Sequence, residues 1–153
     1  MEGARRADAI DRPRCAALLE EALGLAHTMR GGTTLAGAAS APNLLDAWLA
    51  AGSDTAVFVG LIDDAVVGLL AVTTFSRPDR TGASGRIECC YVEEGARGVG
   101  VGTALLEAAV AWCRDHGCAD IDSPALPGDR LTKQRLEAAG FTARLLTLNR
   151  RLD

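Results

Sequence analysis

Apolar residues recur along this chain with two periods, and the changes of period mark out its elements. After Asp11 and Pro13, the residues Leu18, Leu19, Ala22, Leu23 and Ala26 fall at three- and four-residue spacings. That spacing predicts an amphipathic helix, with Asp11 as its cap and Pro13 in its first turn. Gly24 loosens its end. Residues 28–42 are small, polar and glycine-rich, which predicts a mobile loop. A short helix over 44–50 follows, capped by Asn43 and anchored by Trp48. Two apolar runs, 55–62 and 66–75, flank Asp63-Asp64 and predict a hairpin. A second turn region covers 77–85, and 87–92 reads as a further strand. Over 103–116 the positions Leu105, Leu106, Ala109, Val110 and Cys113 form one stripe, and His116-Gly117 closes that helix. A short strand at 119–122 is followed by breaks at Pro124 and Pro127, then by a helix over 130–139 capped by Asp129. That helix stops at Gly140, and 141–151 predicts a last strand. The N-terminal residues leave room for one more strand. This order of elements defines an α+β (mixed α/β) domain, and 153 residues fit a single one, 1–153.

Composition narrows the partners. With 48% hydrophobic and 24% charged residues the chain reads as a soluble globular protein. A net charge of −4 argues against nucleic acid as its main partner. Five cysteines without paired spacing, and two histidines, form no metal-ligand cluster. The adjacent Cys89 and Cys90 point to opposite faces of a strand and lack a placed histidine to activate them. They read as core thiols rather than nucleophiles. His27 reads as a surface residue and Trp48 as a core anchor. No apolar run is long enough to cross a bilayer, and the N-terminus lacks an apolar signal core. The expectation is a cytoplasmic protein with reduced thiols, no metal and no membrane or nucleic-acid partner.

The chemistry concentrates in Arg97-Gly98-Val99-Gly100-Val101-Gly102-Thr103, between a strand and a helix. Glycines at alternate positions clear side chains where the backbone must approach a ligand. The helix start that follows offers unpaired N–H groups and the positive end of a dipole. Together they form an anion cradle suited to a phosphate or pyrophosphate, with Arg97 as a fixed charge beside it. A Walker loop is excluded because no lysine precedes Thr103. A dinucleotide fingerprint is disfavoured because neither Gly98 nor Gly100 starts a Gly-x-Gly-x-x-Gly run, although Asp122 lies about twenty residues beyond.

The stretch IECCYVEEGARGVGVGTALLEAAVAW (87–112) resembles the coenzyme A motif of the GNAT acetyltransferase superfamily. Arg97, Gly100 and Gly102 match the fixed positions of its Arg/Gln-x-x-Gly-x-Gly/Ala pattern, and Val92 matches the usual valine of the preceding strand. EAAGF (137–141) resembles the family's closing helix end. The resemblance implies a central mixed sheet with splayed parallel strands, flanked by about four helices. It implies acetyl-coenzyme A between strands 87–92 and 119–122, with Cys90, Tyr91 and Val92 along the pantetheine arm and the pyrophosphate on Gly98 to Thr103. Asp129 stands where relatives usually carry an asparagine that touches the same arm; an aspartate accepts there but donates nothing. The implied reaction is direct acetyl transfer to a primary amine of a small molecule or peptide. Glu88, at a strand position where many relatives carry the base, and Asp122 are both candidates to take the amine proton. A backbone N–H of 90–92 is the candidate oxyanion donor. Leu136 occupies the position of the tyrosine that protonates the leaving thiolate in many relatives. That departure keeps a second class open, a non-catalytic acyl-coenzyme A sensor, and a third, an interaction domain without a cofactor. The resemblance also leaves room for a homodimer.

Overall fold

A computed structural model describes residues 1–152. Its sheet is built outward from the most apolar run. Residues Ala65–Ser76 form β3, flanked by Thr55–Ile62 (β2) and Ala83–Val92 (β4), with Glu2–Arg6 (β1) on the outer side of β2. These four pair antiparallel in the order β1-β2-β3-β4. Ile121–Asp122 (β5) adds to β4 in parallel. The fold is thus mixed α/β, with an N-terminal strand in the place that the sequence leaves open.

Because β3 is central, both of its faces must be apolar. Leu69 and Ala71 pack with Cys15, Leu18, Leu19 and Leu45 on one side. Leu70 and Val72 pack with Leu105, Leu106, Ala109 and Trp112 on the other. The first group of helical residues comes from Arg12–His27 (α1) and Ala41–Ala50 (α3), the second from Val101–Asp115 (α4). Gly60 and Gly68 face each other across β2 and β3. A Cβ on Gly60 would lie 2.5 Å from Val101 Cγ1, so this glycine pair lets the first turn of α4 rest directly on the sheet.

Several local expectations shift. Asp11 precedes α1, but its carboxylate makes no cap bond to it. It instead receives Arg5 at 2.7 and 3.0 Å and the Asp8 N–H at 2.9 Å. An ionic partner outcompetes a first-turn amide. The cap of α3 is Ser40, which accepts from the Asn43 N–H, so the helix starts at Ala41 with Pro42 in its first turn. Pro42 loses nothing there, since first-turn N–H groups are free. Within the expected loop 28–42, Gly32–Ala36 forms a short helix, α2. Helix α4 begins at Val101, two residues earlier than its stripe indicates.

The predicted last strand over 141–151 does not form. After Arg130–Ala138 (α5) the chain has no regular structure through residue 152. Phe141 packs against the α4-side core and Arg144 pairs with Asp122, but Leu145, Leu146 and Leu148 are 74–92% exposed. A ladder needs an edge, and β5 presents only two residues of one.

Candidate active site

The site begins where β5 leaves β4. The pairing of the two strands extends no further than Gly85 with Ile121 and Arg86 with Asp122. Beyond that point β4 continues through residues 87–92 while the other strand turns away through Ser123, Pro124 and Leu126. The resulting cleft holds a cavity of about 290 Å³. Strand β4 forms one wall, residues 123–126 and α5 the opposite one, and the ends of α1, α2 and α3 the roof.

Glu88 sits at an irregularity in that wall. Ala71 pairs with Cys89 and the adjacent Val72 with Ile87, so Glu88 is the extra residue of a β-bulge. Glu88 is half-buried and lines the cavity at this bulge. No protein group among the described residues hydrogen-bonds its carboxylate. Burial raises its pKa above the usual carboxylate value, and the charge of Arg86 offsets this only in part.

Asp122 has the opposite environment. It is bound by Arg144 through two contacts, one of them 2.8 Å from Nε to Oδ1. That pairing holds its carboxyl below the ordinary range. Asp122 does not line the cavity. The two candidate bases are therefore distinguished by position and by basicity.

Cys90, Tyr91 and Val92 all line the cavity, as do Arg97 and Asp129. The Asp129 carboxylate caps α5, accepting from the Thr132 N–H at 3.1 Å and the Thr132 hydroxyl at 2.7 Å. The Tyr91 hydroxyl donates to Glu21 at 3.1 Å. Burial pushes the Cys89 thiol up to about 12 and raises that of Cys90, which leaves both protonated and poor nucleophiles at neutral pH.

The glycine turn opens into a second recess at the end of β4, lined by Gly98, Gly100, Gly102, Thr103 and Arg97. Gly98 and Gly100 adopt left-handed backbone conformations, φ 83° and 101°. Gly100 is the N-cap residue of α4 and no side chain caps the helix. The amides of Val101, Gly102 and Thr103 thus lie in the first turn without intrahelical partners. Val99 is 50% exposed and lines neither recess. Arg97 donates through Nε to the Val92 carbonyl at 2.9 Å and lies over the Tyr91 ring, so part of its role is to tie the turn to β4.

Two α5 residues depart from the sequence reading. Leu136 is buried in the α4-side core and does not line the cavity. Arg135, one residue earlier, faces both recesses. A Cβ on Gly102 would lie 2.7 Å from the Arg135 guanidinium carbon. The helical position of Arg135 relative to Asp129 was readable, but which face of α5 meets the cleft was not. The apolar roof from Leu23 to Trp48 was likewise visible only as helix stripe and loop. Trp48 packs on the core and also borders the cavity.

Residues 18–125 match the model of the acetyltransferase (GNAT) family, and the chain belongs to that family. No curated protein matches it in sequence. Solved structures share the fold over nearly the whole chain. A transcriptional regulator from Bacillus halodurans C-125 superposes with TM-score 0.78 at 20% identity, covering 99% of this chain and 100% of that one. Glucosamine-6-phosphate N-acetyltransferase from Arabidopsis thaliana gives TM-score 0.68 at 18% identity, with 100% and 99% covered. AAC(6')-Iy, in complex with the bisubstrate analogue CoA-S-monomethyl-acetylneamine, gives TM-score 0.76 at 16% identity, with 99% of each chain covered. No helix among the described residues is long and apolar enough to cross a membrane, and these residues hold no cluster suited to a metal ion.

Proposed function

We propose that the protein transfers an acetyl group from acetyl-coenzyme A to a primary amine, with Glu88 as the base. The observation that carries this reading is the bulged, half-buried Glu88 in a cleft that leads to the free amides of α4. Acetyl-coenzyme A supplies a thioester carbonyl. The residues fit it: the first-turn amides and Arg135 offer an electropositive seat for the pyrophosphate, and the edge of β4 that faces away from β3 has no strand partner along 87–92, which leaves its backbone groups open to the pantetheine amides.

An amine acceptor arrives largely as ammonium and must lose a proton before attack. A carboxylate raised by burial is a better proton acceptor near neutrality than an ion-paired one, which favours Glu88 over Asp122. The amine nitrogen then bonds to the carbonyl carbon, and a backbone N–H of 90–92 stabilises the oxyanion. The attacking nitrogen then gives up its second proton to solvent, the carbonyl re-forms as the carbon–sulfur bond breaks, and the thiolate takes a proton from water. A thiol, with a pKa of about 8.5, is an acidic leaving group and needs no tyrosine to depart.

A second reading, acyl-coenzyme A sensing without transfer, is supported by the α5 side of the cavity, where Leu131, Thr132 and Arg135 include no tyrosine to protonate a leaving thiolate, and by the regulator among the similar folds. Calorimetric titration with acetyl-coenzyme A, followed by a thiol-release assay with an amine panel, separates the two. Transfer requires binding and amine-dependent thiol release. Binding without release supports the sensor, and absence of binding removes both.

A further inference from the structure

We infer that the acceptor is a small monoamine with an apolar body, aryl or branched alkyl, seated under the α1–α3 roof with its amino group at Glu88. This inference rests on the transferase reading above. The roof consists of Leu23 and Ala26 of α1, Met29, Leu35 of α2, and Leu44 and Trp48 of α3. None of them is ionisable. The other charged residues of the cavity lie outside the roof. Arg97 holds the Val92 carbonyl, Arg135 lies over Gly102, and Asp129 caps α5. Arg97 and Arg135 also line the recess at the glycine turn, which is the opposite end of the cleft.

Charge bookkeeping then selects the ligand. A single ammonium finds one counter-charge, Glu88. A second ammonium, as in a diamine or an aminoglycoside, would lie unpaired among aliphatic side chains, and a buried unpaired charge is strongly disfavoured. A phosphate at the roof would meet no cation, and it would stand in the same cavity as Glu88. An apolar body, in contrast, exchanges water for Leu23, Leu35 and Trp48. Full burial of an aromatic side chain corresponds to roughly a tenfold to hundredfold gain in equilibrium. The volume of about 290 Å³ must also admit the end of the pantetheine arm, which limits the acceptor to one compact group.

The test is a thiol-release assay at saturating acetyl-coenzyme A with methylamine, hexylamine, phenethylamine, putrescine, neamine and glucosamine 6-phosphate. The expected order places phenethylamine or hexylamine first, with kcat/KM at least about tenfold above methylamine and above putrescine. If putrescine, neamine or glucosamine 6-phosphate is the better substrate, the transferase reading stands and this inference is overturned. If no amine releases thiol, the transferase reading fails, and calorimetry with the coenzyme A-loaded protein still decides the pocket: tighter binding of phenethylamine than of putrescine supports it, and equal or reversed binding overturns it. Leu35 is 44% exposed, so Leu35→Glu should fold, which thermal denaturation checks. It should raise the putrescine-to-phenethylamine ratio at least about tenfold while the Kd for acetyl-coenzyme A is unchanged. An unmoved ratio would show that α2 does not wall the acceptor.

Discussion

Glu88→Gln separates charge from shape at the residue on which the proposed chemistry turns. Glutamine keeps the size and the bulge but cannot accept a proton. Loss of a positioned general base costs about 10²- to 10⁴-fold in rate, or about 3–5 kcal/mol of barrier. The cost belongs at the high end of that range if no other carboxylate substitutes, and Asp122 is tied to Arg144 outside the cavity. Stability should move the other way. Burial holds the folded Glu88 carboxyl above its unfolded value of about 4.3. As pH rises through the window between the two values, the folded chain still carries a proton that the unfolded chain has released. Stability contributed by the protonated group is therefore lost as pH climbs through the folded pKa. Glutamine has no such loss, so the variant should match or exceed the parent in thermal stability at about pH 8 and gain nothing at about pH 4, where both side chains are neutral. Thiol release from about pH 5 to pH 9 should show an acidic limb in the parent, displaced above an ordinary carboxylate value, that disappears in the variant. Parental turnover with the same acidic limb in Glu88→Gln would refute the assignment. Asp122→Asn serves as the contrast, with a modest stability loss and little change in rate; the reverse pattern would transfer the role of base to Asp122.

Three further outcomes follow from the packing. Gly100→Val forces a branched residue to φ 101°, at a cost of about 1–2 kcal/mol, and should weaken acetyl-coenzyme A binding by calorimetry. Undiminished affinity in a folded variant would remove the pyrophosphate from this turn. Leu136→Tyr inserts a phenol into the core rather than the cleft, and should lower stability by about 1–3 kcal/mol in urea denaturation without accelerating thiol release. Faster turnover at unchanged stability would place residue 136 at the reacting thioester instead. Gly85→Ala puts a methyl group where Cys113 Sγ would be 2.3 Å away, so it should cost about 1–3 kcal/mol, most of it recovered by Cys113→Ala in the same chain. An additive double mutant would contradict that contact.

What was legible from sequence was local. The glycine turn needs only residues 98–102 and the helix stripe that follows, because left-handed glycines and unpaired first-turn amides are properties of a short segment. The Asp129 cap is a three-residue relation to Thr132 and appeared as expected. The hairpin at Asp63-Asp64 and the apolar character of β3 followed from the order of two apolar runs around a polar pair. Glu88 was singled out through the family resemblance of its strand, not through anything that the residue's own neighbours in sequence reveal.

What tertiary structure decided was register and rotation. The bulge at Glu88 exists only when Ala71 and Val72 are set against Cys89 and Ile87. The choice of Arg135 over Leu136 to face the cleft depends on how α5 is turned against α4, and a one-residue change turns a helical side chain by about 100°. Asp11 abandoned a helix cap because Arg5 is brought beside it by β1. Residues 141–151 carry enough leucine to read as a strand, yet no neighbouring edge of sufficient length is present to pair with them. In each case the sequence states which groups are available, while pairing, burial and charge are settled by the tertiary arrangement, even where, as for Arg5 and Asp11, the partner is only six residues away.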